Sequence, residues 1–169
     1  MKISVSFKEP LKLYTPEWYL DLNIVGAGKI DDPFIVSPLI KNNLDRTNFS
    51  LKIFDSDSYT EIRKYNLKAI ILVDCSNITI SNSSFKAIKL VNCSNILLKN
   101  VYIRKKLILE SCRYIDLIDS KIKLLDATTS EDILASKCQF GRVKKRSYSC
   151  SLTMEYSEIQ GFKLPLTNF

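Results

Sequence analysis

The chain has 169 residues, of which 46% are hydrophobic and 25% are charged, as is typical of a single globular domain. No stretch approaches the roughly 18 consecutive apolar residues that a membrane-spanning helix needs, so no membrane partner is expected. Histidine is absent, which excludes Ser-His-Asp and Cys-His nucleophile systems and histidine-containing zinc sites. Five cysteines, an odd number without C-x-x-C spacing, favour reduced thiols in the cytoplasm over a disulfide framework.

The N-terminal residues 1–10 alternate polar and apolar side chains. Such alternation predicts a strand, and it lacks the continuous apolar stretch of a signal peptide. We therefore expect residues 1–17 to form a strand or a cap over one end of the domain, and we expect the protein to be cytoplasmic.

Residues 18–67 carry a loose form of a pattern that becomes regular further along the chain. Apolar pairs separated by one residue begin at Leu22 and at Leu51, and the first regular start follows at Ile78. These intervals are longer than those between the later starts, so they predict two irregular coils. The longer loops of these coils are expected at residues 31–43 and 60–66.

Residues 68–160 repeat one short pattern five times, at nearly constant intervals. Each repeat starts with an apolar residue and has a second apolar residue seven positions later; a further apolar pair precedes each of the first four starts. The starts are Ile78, Ile96, Ile115, Ile133 and Leu152, and the second sites are Phe85, Ile103, Ile122, Phe140 and Ile159. A repeat period of roughly 20 residues is typical of a solenoid, whose coils bury their apolar faces by stacking. The five starts should therefore form one buried column of parallel strands.

We predict an all-β fold with a single domain over residues 1–169. It is a single-stranded parallel β-solenoid, a right-handed β-helix of about seven coils, with regular coils over 68–160 and a C-terminal cap over 161–169. A left-handed hexapeptide solenoid also has coils of about this length. It fits less well, because the apolar sites do not recur at a constant interval of six positions and glycine is scarce.

Two consecutive units carry a family resemblance. The segment from Asp74 to Ser83 reads DCSNITISNS, and the segment from Asn92 to Val101 reads NCSNILLKNV. They resemble the parallel β-helix repeats of the pectate-lyase-like superfamily. That superfamily contains polysaccharide lyases and hydrolases, and also non-catalytic adhesins, virion parts and cytoskeletal solenoids, so the resemblance implies a fold and no particular activity. The catalytic residues of the lyases have no matching positions here.

Three cysteines share one coil position. Cys75, Cys93 and Cys112 each lie three residues before a start, and Ser130 and Ser149 continue the column. A metal or redox site is one interpretation, and small inward side chains that pack a turn are the interpretation that we favour. Coils roughly 4.8 Å apart exceed the Cβ separation near 3.8 Å of a disulfide. The sequence thus predicts buried, reduced thiols without metal.

Two other motifs could carry chemistry. Local pairs of acids, which polysaccharide-active enzymes use with or without calcium, occur at Asp55/Asp57, Asp116/Asp119 and Glu131/Asp132. None recurs in neighbouring coils, so we interpret them as turn residues. The Gly26-Ala27-Gly28 cluster lacks the third glycine and the lysine of nucleotide-binding loops, which indicates a tight turn. The sequence therefore identifies no catalytic residue, metal site or cofactor.

The net charge of +7 belongs entirely to the regular coils. Residues 1–67 contain nine basic and nine acidic residues, which leaves 16 basic and nine acidic residues in 68–169. Many of these cations follow the second apolar site of a coil and should lie on one edge of the solenoid. We call this set the basic edge: Lys86, Arg104, Lys105, Lys106, Lys123, Arg142, Lys144, Lys145 and Arg146.

Four members of the basic edge occupy equivalent positions in successive coils. They are Lys86, Arg104, Lys123 and Arg142, and they should project outward in a row along the solenoid axis. Stacked cations repel unless salt or an anion screens them. A solvated turn that resists edge pairing is the alternative interpretation.

The sequence predicts a non-enzymatic binding or scaffold module whose basic edge holds a polyanion such as nucleic acid, or an acidic protein. A structural subunit that associates end to end or laterally, in a larger assembly or virion, is the first alternative, and a carbohydrate-active enzyme is the second. A DNA-mimic solenoid is disfavoured because it would need acidic rows. Exposed aromatic residues near the basic edge are few, with Tyr102 and Tyr148 the best candidates, so base stacking is expected to be limited.

Overall fold

The computed structural model describes residues 2–6, 22–38, 50–160 and 162–168. In these residues all regular structure is β-strand, and the strands form a parallel β-solenoid of about six turns with about 18 residues per turn. The strands are β1 (Lys2–Ser6), β2 (Leu22–Val25), β3 (Phe34–Pro38), β4 (Ser50–Ser56), β5 (Thr60–Arg63), β6 (Asn66–Val91), β7 (Ser94–Glu110), β8 (Arg113–Ile118), β9 (Lys121–Thr128), β10 (Glu131–Ser136), β11 (Gln139–Lys145), β12 (Leu152–Ile159) and β13 (Phe162–Asn168). The predicted all-β solenoid is confirmed, with about six turns in place of about seven. No helix in these residues is long and apolar enough to cross a membrane.

Each regular turn of the solenoid has three faces. In the turn formed by β7, residues 96–98 lie on face 1, residues 101–103 on face 2 and residues 107–109 on face 3. We call the corner before face 1 corner A, the corner between faces 1 and 2 corner B, and the corner between faces 2 and 3 corner C. Alternate side chains on each face point inward, because the side-chain period of a strand is two residues.

The predicted column of starts forms on face 1. Each start pairs in parallel register with the next, and none is more than 2% exposed. Its members are Ile78, Ile96, Ile115, Ile133 and Leu152. Four of the second apolar sites, Phe85, Ile103, Ile122 and Phe140, are buried in a column on face 2, and Ile159 is half-buried. Burial of each such side chain contributes roughly 1.5–3 kcal/mol before chain entropy is subtracted.

Corner B turns at residues with positive φ. These include Asn82 (φ 48°) and Asn100 (φ 52°), and asparagine tolerates this left-handed region better than most residues. The next side chain points inward, and where it is serine its hydroxyl bonds backbone groups at the turn. The Ser120 hydroxyl donates to the carbonyl of Ile118 (2.8 Å) and accepts from the amide of Val101 (3.1 Å). Small inward hydroxyls thus satisfy polar backbone groups that would otherwise be buried without a partner.

Corner A uses a similar column of small buried side chains: Cys75, Cys93, Cys112, Ser130 and Cys150. The first three thiols each donate to the carbonyl two residues earlier. The predicted fifth member, Ser149, is wrong, because Ser149 is exposed and Cys150 is buried in its place. Only Ser151 separates Cys150 from the start Leu152, whereas two residues separate the earlier members from their starts. The prediction assumed that each member lies three residues before a start, and this assumption selected Ser149 in place of Cys150.

The register of the N-terminal coils differs from the prediction. Leu51 and Ile53 pair with Ile70 and Leu72 on face 3, so they do not belong to the column of starts. That column instead extends to Thr60, which pairs with Ile78. The predicted loop over residues 60–66 is therefore wrong for β5. An alternation of apolar and polar residues occurs on faces 1 and 3 alike, so the sequence pattern did not distinguish the two faces.

The three strands before β4, together with the turn between β2 and β3, cover one end of the solenoid. The predicted long loop over residues 31–43 contains β3, which runs parallel to β5 and antiparallel to β2. Gly26 (φ 104°) and Gly28 (φ 75°) form the predicted tight turn between these strands. β1 pairs with β4 in parallel, which agrees with the predicted N-terminal strand. The other residues of 1–17 lie outside the described residues, as do 39–43.

The opposite end carries the antiparallel strand β13. It pairs along β12 from Ile159↔Phe162 to Thr153↔Asn168, which occupies the free edge of the last strand on faces 1 and 2. This arrangement is compatible with the predicted cap over 161–169. Antiparallel strands therefore lie at both ends of the parallel stack, where an uncovered edge would invite pairing with another chain.

Candidate functional site

Corner C brings cations from successive turns into one row. The residues after Phe85, Ile103 and Ile122, which pair with one another on face 2, are all basic. These residues are Lys86, Arg104 and Lys123. Successive members lie one turn apart, roughly 4.8 Å. Lys86 and Lys123 are exposed, and Arg104 is half-buried. The structure thus places one cation of the basic edge at the start of corner C in each of three successive turns.

The row has one further member that the sequence interpretation missed. Lys68 precedes Lys86 by one turn, at the same interval in sequence that separates Tyr65 from Ser83. The Tyr65 amide donates to the Ser83 hydroxyl, which shows that residues at this interval stack on one another. Lys68 is exposed. The repeat period could have found it. We call the four residues the axial row: Lys68, Lys86, Arg104 and Lys123.

Gly141 ends the axial row. It occupies the next position, one residue before Arg142, which pairs with Leu124. A Cβ atom at Gly141 would lie 2.6 Å from the carbonyl oxygen of Lys123, so a side chain does not fit there without displacing the backbone. Arg142, which we predicted for the row, is exposed one position further along the strand.

The turn that contains Arg104 has one extra residue at corner C. Arg104, Lys105 and Lys106 separate its face 2 from its face 3, where the neighbouring turns have two residues. Lys106 pairs with Ala87, and both lysines are exposed. This turn therefore carries two more positive charges at corner C than either neighbouring turn, beside the middle of the axial row.

The remaining three residues of the basic edge lie after corner C, in the final turn. Lys144 pairs with Asp126, and Lys145 pairs with the inward Ala127, so an exposed lysine ends a buried column. Arg146 donates from Nε and Nη2 to the two carboxylate oxygens of Asp126, at 2.6 and 2.7 Å. These cations adjoin corner C without extending the axial row, and the charge of Arg146 is neutralised.

The axial row has no carboxylate partner in the part of the chain that the structure describes. Neither its members nor Lys105 nor Lys106 takes part in an ion pair there. Hydrogen bonds from Arg146 lower the pKa of Asp126, and the charges of Arg146, Lys144 and Lys106 lower it further, against the opposing effect of burial. The positive charge of this region therefore acts on a buried acid near it, while the charges of the row itself are not neutralised by a described acid.

No cluster of three ligand-type side chains that could hold a metal ion is found in the described residues, at corner A or elsewhere. Burial of Cys75, Cys93 and Cys112 is confirmed, and all five cysteines of the chain are free thiols. Hydrogen bonds with Cys112 and Cys75, together with burial, raise the pKa of Cys93, and burial raises the pKa of Cys138 to about 11. The same hydrogen bonds with Cys93 lower the pKa values of Cys75 and Cys112, against the opposing effect of burial. Thiols with raised pKa values, such as Cys93 and Cys138, are weak ligands and nucleophiles. That Cys75, Cys93 and Cys112 bind no metal stays a prediction.

The acid pairs lie at corners and on an outer face. Asp55, Asp119 and Asp132 have positive φ, which agrees with their interpretation as turn residues. Glu131 forms an ion pair with Arg113 at 2.6 Å. Turn geometry or this ion pair thus accounts for four of the six acids.

Two open cavities adjoin at corner B, and the sequence interpretation missed both. One, of about 780 Å³, lies over corner B and face 2. The other, of about 470 Å³, lies between the β2–β3 turn and face 1. Asn82 lines both cavities. Their walls combine residues from successive turns, so no local motif marks them.

Comparison with known proteins assigns no family. The chain matches no protein-family model, and neither a curated protein nor a solved structure is significantly similar to it. The resemblance to pectate-lyase-like repeats therefore rests on the repeat pattern and the parallel solenoid alone.

Proposed function

We propose that this protein is a non-enzymatic module that binds nucleic acid along corner C. The observation that carries the proposal is the axial row, in which four consecutive turns present four cations that pair with no carboxylate of the described residues. Each strand of a duplex carries one phosphate per roughly 3.4 Å of helix axis. Four cations spaced about 4.8 Å apart extend over roughly 14 Å, the axial length of about four phosphates of one strand, so the row can contact several phosphates at once.

The energetic basis of such binding is the repulsion within the row. Cations stacked one turn apart destabilise each other, most strongly at low salt. A polyanion that lies along the row reduces this repulsion and releases its own condensed counterions. Contacts to phosphates carry no sequence information, so binding should depend strongly on salt and only weakly on sequence.

The ends of the solenoid support a binding role over end-to-end assembly. At the C-terminal end, β13 runs antiparallel along β12 and obstructs the parallel stacking of a second chain on faces 1 and 2. At the N-terminal end, β2 runs antiparallel along β3. Lys145 places a charge at the end of an apolar column on face 3. Charged residues of this kind oppose edge-to-edge pairing.

A variant in which three lysines of corner C are replaced by uncharged residues tests the proposal. Lys86, Lys106 and Lys123 are exposed and can be replaced together by Gln without disturbing a hydrogen bond among the described residues. Arg104 is kept, because its Nη2 donates to Asn66 Oδ1 at 3.1 Å. The matched control replaces three exposed lysines elsewhere by Gln: Lys29, Lys99 and Lys137.

Both variants have the same net charge, so a difference between them reports position. We expect the corner C variant to bind a mixed-sequence oligonucleotide roughly tenfold more weakly than the control, which corresponds to about 1.4 kcal/mol. Filter binding or fluorescence anisotropy at low salt measures the two affinities. Equal affinities would show that the total charge, and not the axial row, holds the nucleic acid. Binding of an acidic protein in place of nucleic acid would overturn the proposed ligand.

We further propose that the solenoid is right-handed, related to the pectate-lyase-like superfamily and located in the cytoplasm. The unequal spacing of the apolar sites within a coil and the units at residues 74–83 and 92–101 support the first two proposals, and five unbridged thiols support the third. An experimental structure tests the handedness and the relationship, and cell fractionation tests the location. A left-handed coil, or recovery from an oxidising compartment, would contradict them.

A further inference from the structure

We infer that face 2 holds the bases of a single-stranded nucleic acid whose phosphates follow corner C. This inference rests on the proposed function and adds an uncharged contact to it. It follows from the open cavity of about 780 Å³ over face 2, which lies beside the axial row. The module would then prefer single strands to duplexes.

Two aromatic residues line this cavity: Tyr65, which is buried, and Tyr102, which is exposed and is the one that a base can reach. The Tyr102 side chain is 47% exposed and lines the cavity. Tyr102 pairs with Ser84 in the preceding turn and with Lys121 in the following turn, and both of these residues also line the cavity. Serine is short, so the tyrosine ring stands beside open space on one side and beside a cation on the other. A base that stacks on the ring would therefore lie on face 2 without displacing another large side chain.

Arg104 connects the cavity to the axial row. It follows Tyr102 by two residues, a distance of roughly 7 Å along a strand. Its guanidinium donates to Asn66 Oδ1 at 3.1 Å, and Asn66 lines the cavity. The cation is thus held at the border between corner C and face 2. A phosphate at Arg104 and a base at Tyr102 are consequently within the reach of one nucleotide.

The geometry favours a single strand because its bases are accessible. In a duplex the base faces are stacked on one another, so Tyr102 could not reach them. Non-specific single-strand binders combine a basic track with aromatic stacking, which contributes roughly five- to 150-fold in affinity per base. The amide side chains of Asn82 and Asn100 also line the cavity, although the Asn100 amide already donates to Asn82 at 2.8 Å. Tyr148, the other aromatic residue predicted near the basic edge, does not line this cavity.

The inference is tested with three probes: an oligothymidine strand, the same strand with abasic sites, and a duplex. The unmodified protein is compared with Tyr102→Ala and with the matched variant Tyr114→Ala. Tyr114 is 54% exposed and lies at corner A, outside the cavity. Fluorescence anisotropy gives the affinities, and circular dichroism melting verifies that both variants are folded.

We expect the unmodified protein to bind oligothymidine roughly tenfold more tightly than the abasic strand. Tyr102→Ala should remove that difference and leave binding of the abasic strand unchanged, whereas Tyr114→Ala should preserve the difference. Equal binding of oligothymidine by the two variants would overturn the inference, while retained binding of the abasic strand and the duplex would leave the proposed function standing. Failure of the unmodified protein to bind any probe at low salt would overturn the proposed function itself.

Discussion

Corner A and corner C are turns of the same solenoid, yet their stacked outward side chains relate to one another in opposite ways. At corner A the stacked groups are complementary. The Asn92 amide donates to the Asp74 carboxylate at 3.1 Å, and Arg113 pairs with Glu131 at 2.6 Å. At corner C the axial row places cation on cation. Parallel stacking of the backbone therefore supports both a corner that stabilises the stack and a corner that opposes it.

This difference shows how a solenoid can separate folding from binding. Parallel stacking brings equivalent positions of successive turns together. The outward side chains at each position therefore either attract their neighbours in the next turn or repel them. Hydrogen-bonded ladders at corner A and buried columns inside hold the turns together. Exposed cations at corner C contribute little to stability, which leaves that corner available for a ligand.

The largest effect is expected inside the stack, where both corners depend on the same core. Ile115 is fully buried in the middle of the column of starts. Ile115→Ala should lower the free energy of unfolding by about 2–5 kcal/mol, because it leaves a cavity between two turns. Urea denaturation measures the change, with Asp116→Ala, the adjacent exposed residue, as the control. A loss below about 1 kcal/mol would contradict the stacked-column account.

A smaller loss should follow from removal of one inward hydroxyl at corner A. Ser130 Oγ accepts from the amide of Cys112 at 3.0 Å and donates to the carbonyl of Thr128 at 3.0 Å. Ser130→Ala leaves a buried amide unsatisfied, which should cost about 1–3 kcal/mol. The exposed Ser149→Ala is the control in the same denaturation assay. Equal stability of the two variants would show that the inward hydroxyl is not needed at the corner.

The ion pair next to corner C should give a pH-dependent contribution. Asp126 is bonded to Arg146, which lowers the pKa of Asp126 in the folded protein below the value of about 3.9 in an unfolded chain. The pair therefore stabilises the fold above about pH 4, and this contribution is lost as the pH falls through the folded pKa.

Asp126→Asn should accordingly lower the free energy of unfolding at neutral pH by up to about 1 kcal/mol, since one partner is exposed. The difference from the unmodified protein should shrink below about pH 4. Denaturation curves at several pH values measure it, with the exposed Asp57→Asn as the control. A difference that stays constant with pH would contradict the assignment.

The smallest effect on stability is expected at corner C itself. Replacement of Lys86 and Lys123 by Gln removes charges that repel each other. The free energy of unfolding in low salt, measured by thermal unfolding, should therefore be unchanged or rise by less than about 0.5 kcal/mol. The shift should vanish in high salt. A clear destabilisation would mean that these lysines hold the fold, and the contrast between the two corners would fail.

The regular coils could be predicted from sequence because each start is apolar and recurs at nearly constant spacing. The first coils could not be placed correctly, since the column of starts continues at Thr60, a polar residue, while Leu51 and Ile53 resemble a start but lie on face 3. Small changes in spacing had the same effect at Cys150. Repeats fix the architecture where they are strict, and they mislead where a turn gains or loses one residue.

The candidate site was only partly predictable for a related reason. The axial row follows directly from the repeat, which is why Lys86, Arg104 and Lys123 were found. The end of the row at Gly141 could not be predicted, because a side chain there is excluded by the close approach of the Lys123 carbonyl, which the sequence does not show. The cavity depends on side chains far apart in the chain, such as Asn66 and Lys121, which lie in different turns.

A salt titration of nucleic-acid binding tests the central proposal most directly. The logarithm of the association constant should fall linearly with the logarithm of the salt concentration, with a slope of about −0.9 per phosphate contact on duplex DNA or about −0.7 on a single strand. Four to six contacts along corner C predict a slope of roughly −3 to −5. Removal of three lysines at corner C should flatten the slope by about one unit per lost contact. Absence of binding at low salt, or binding that does not weaken as salt is raised, would contradict the proposal.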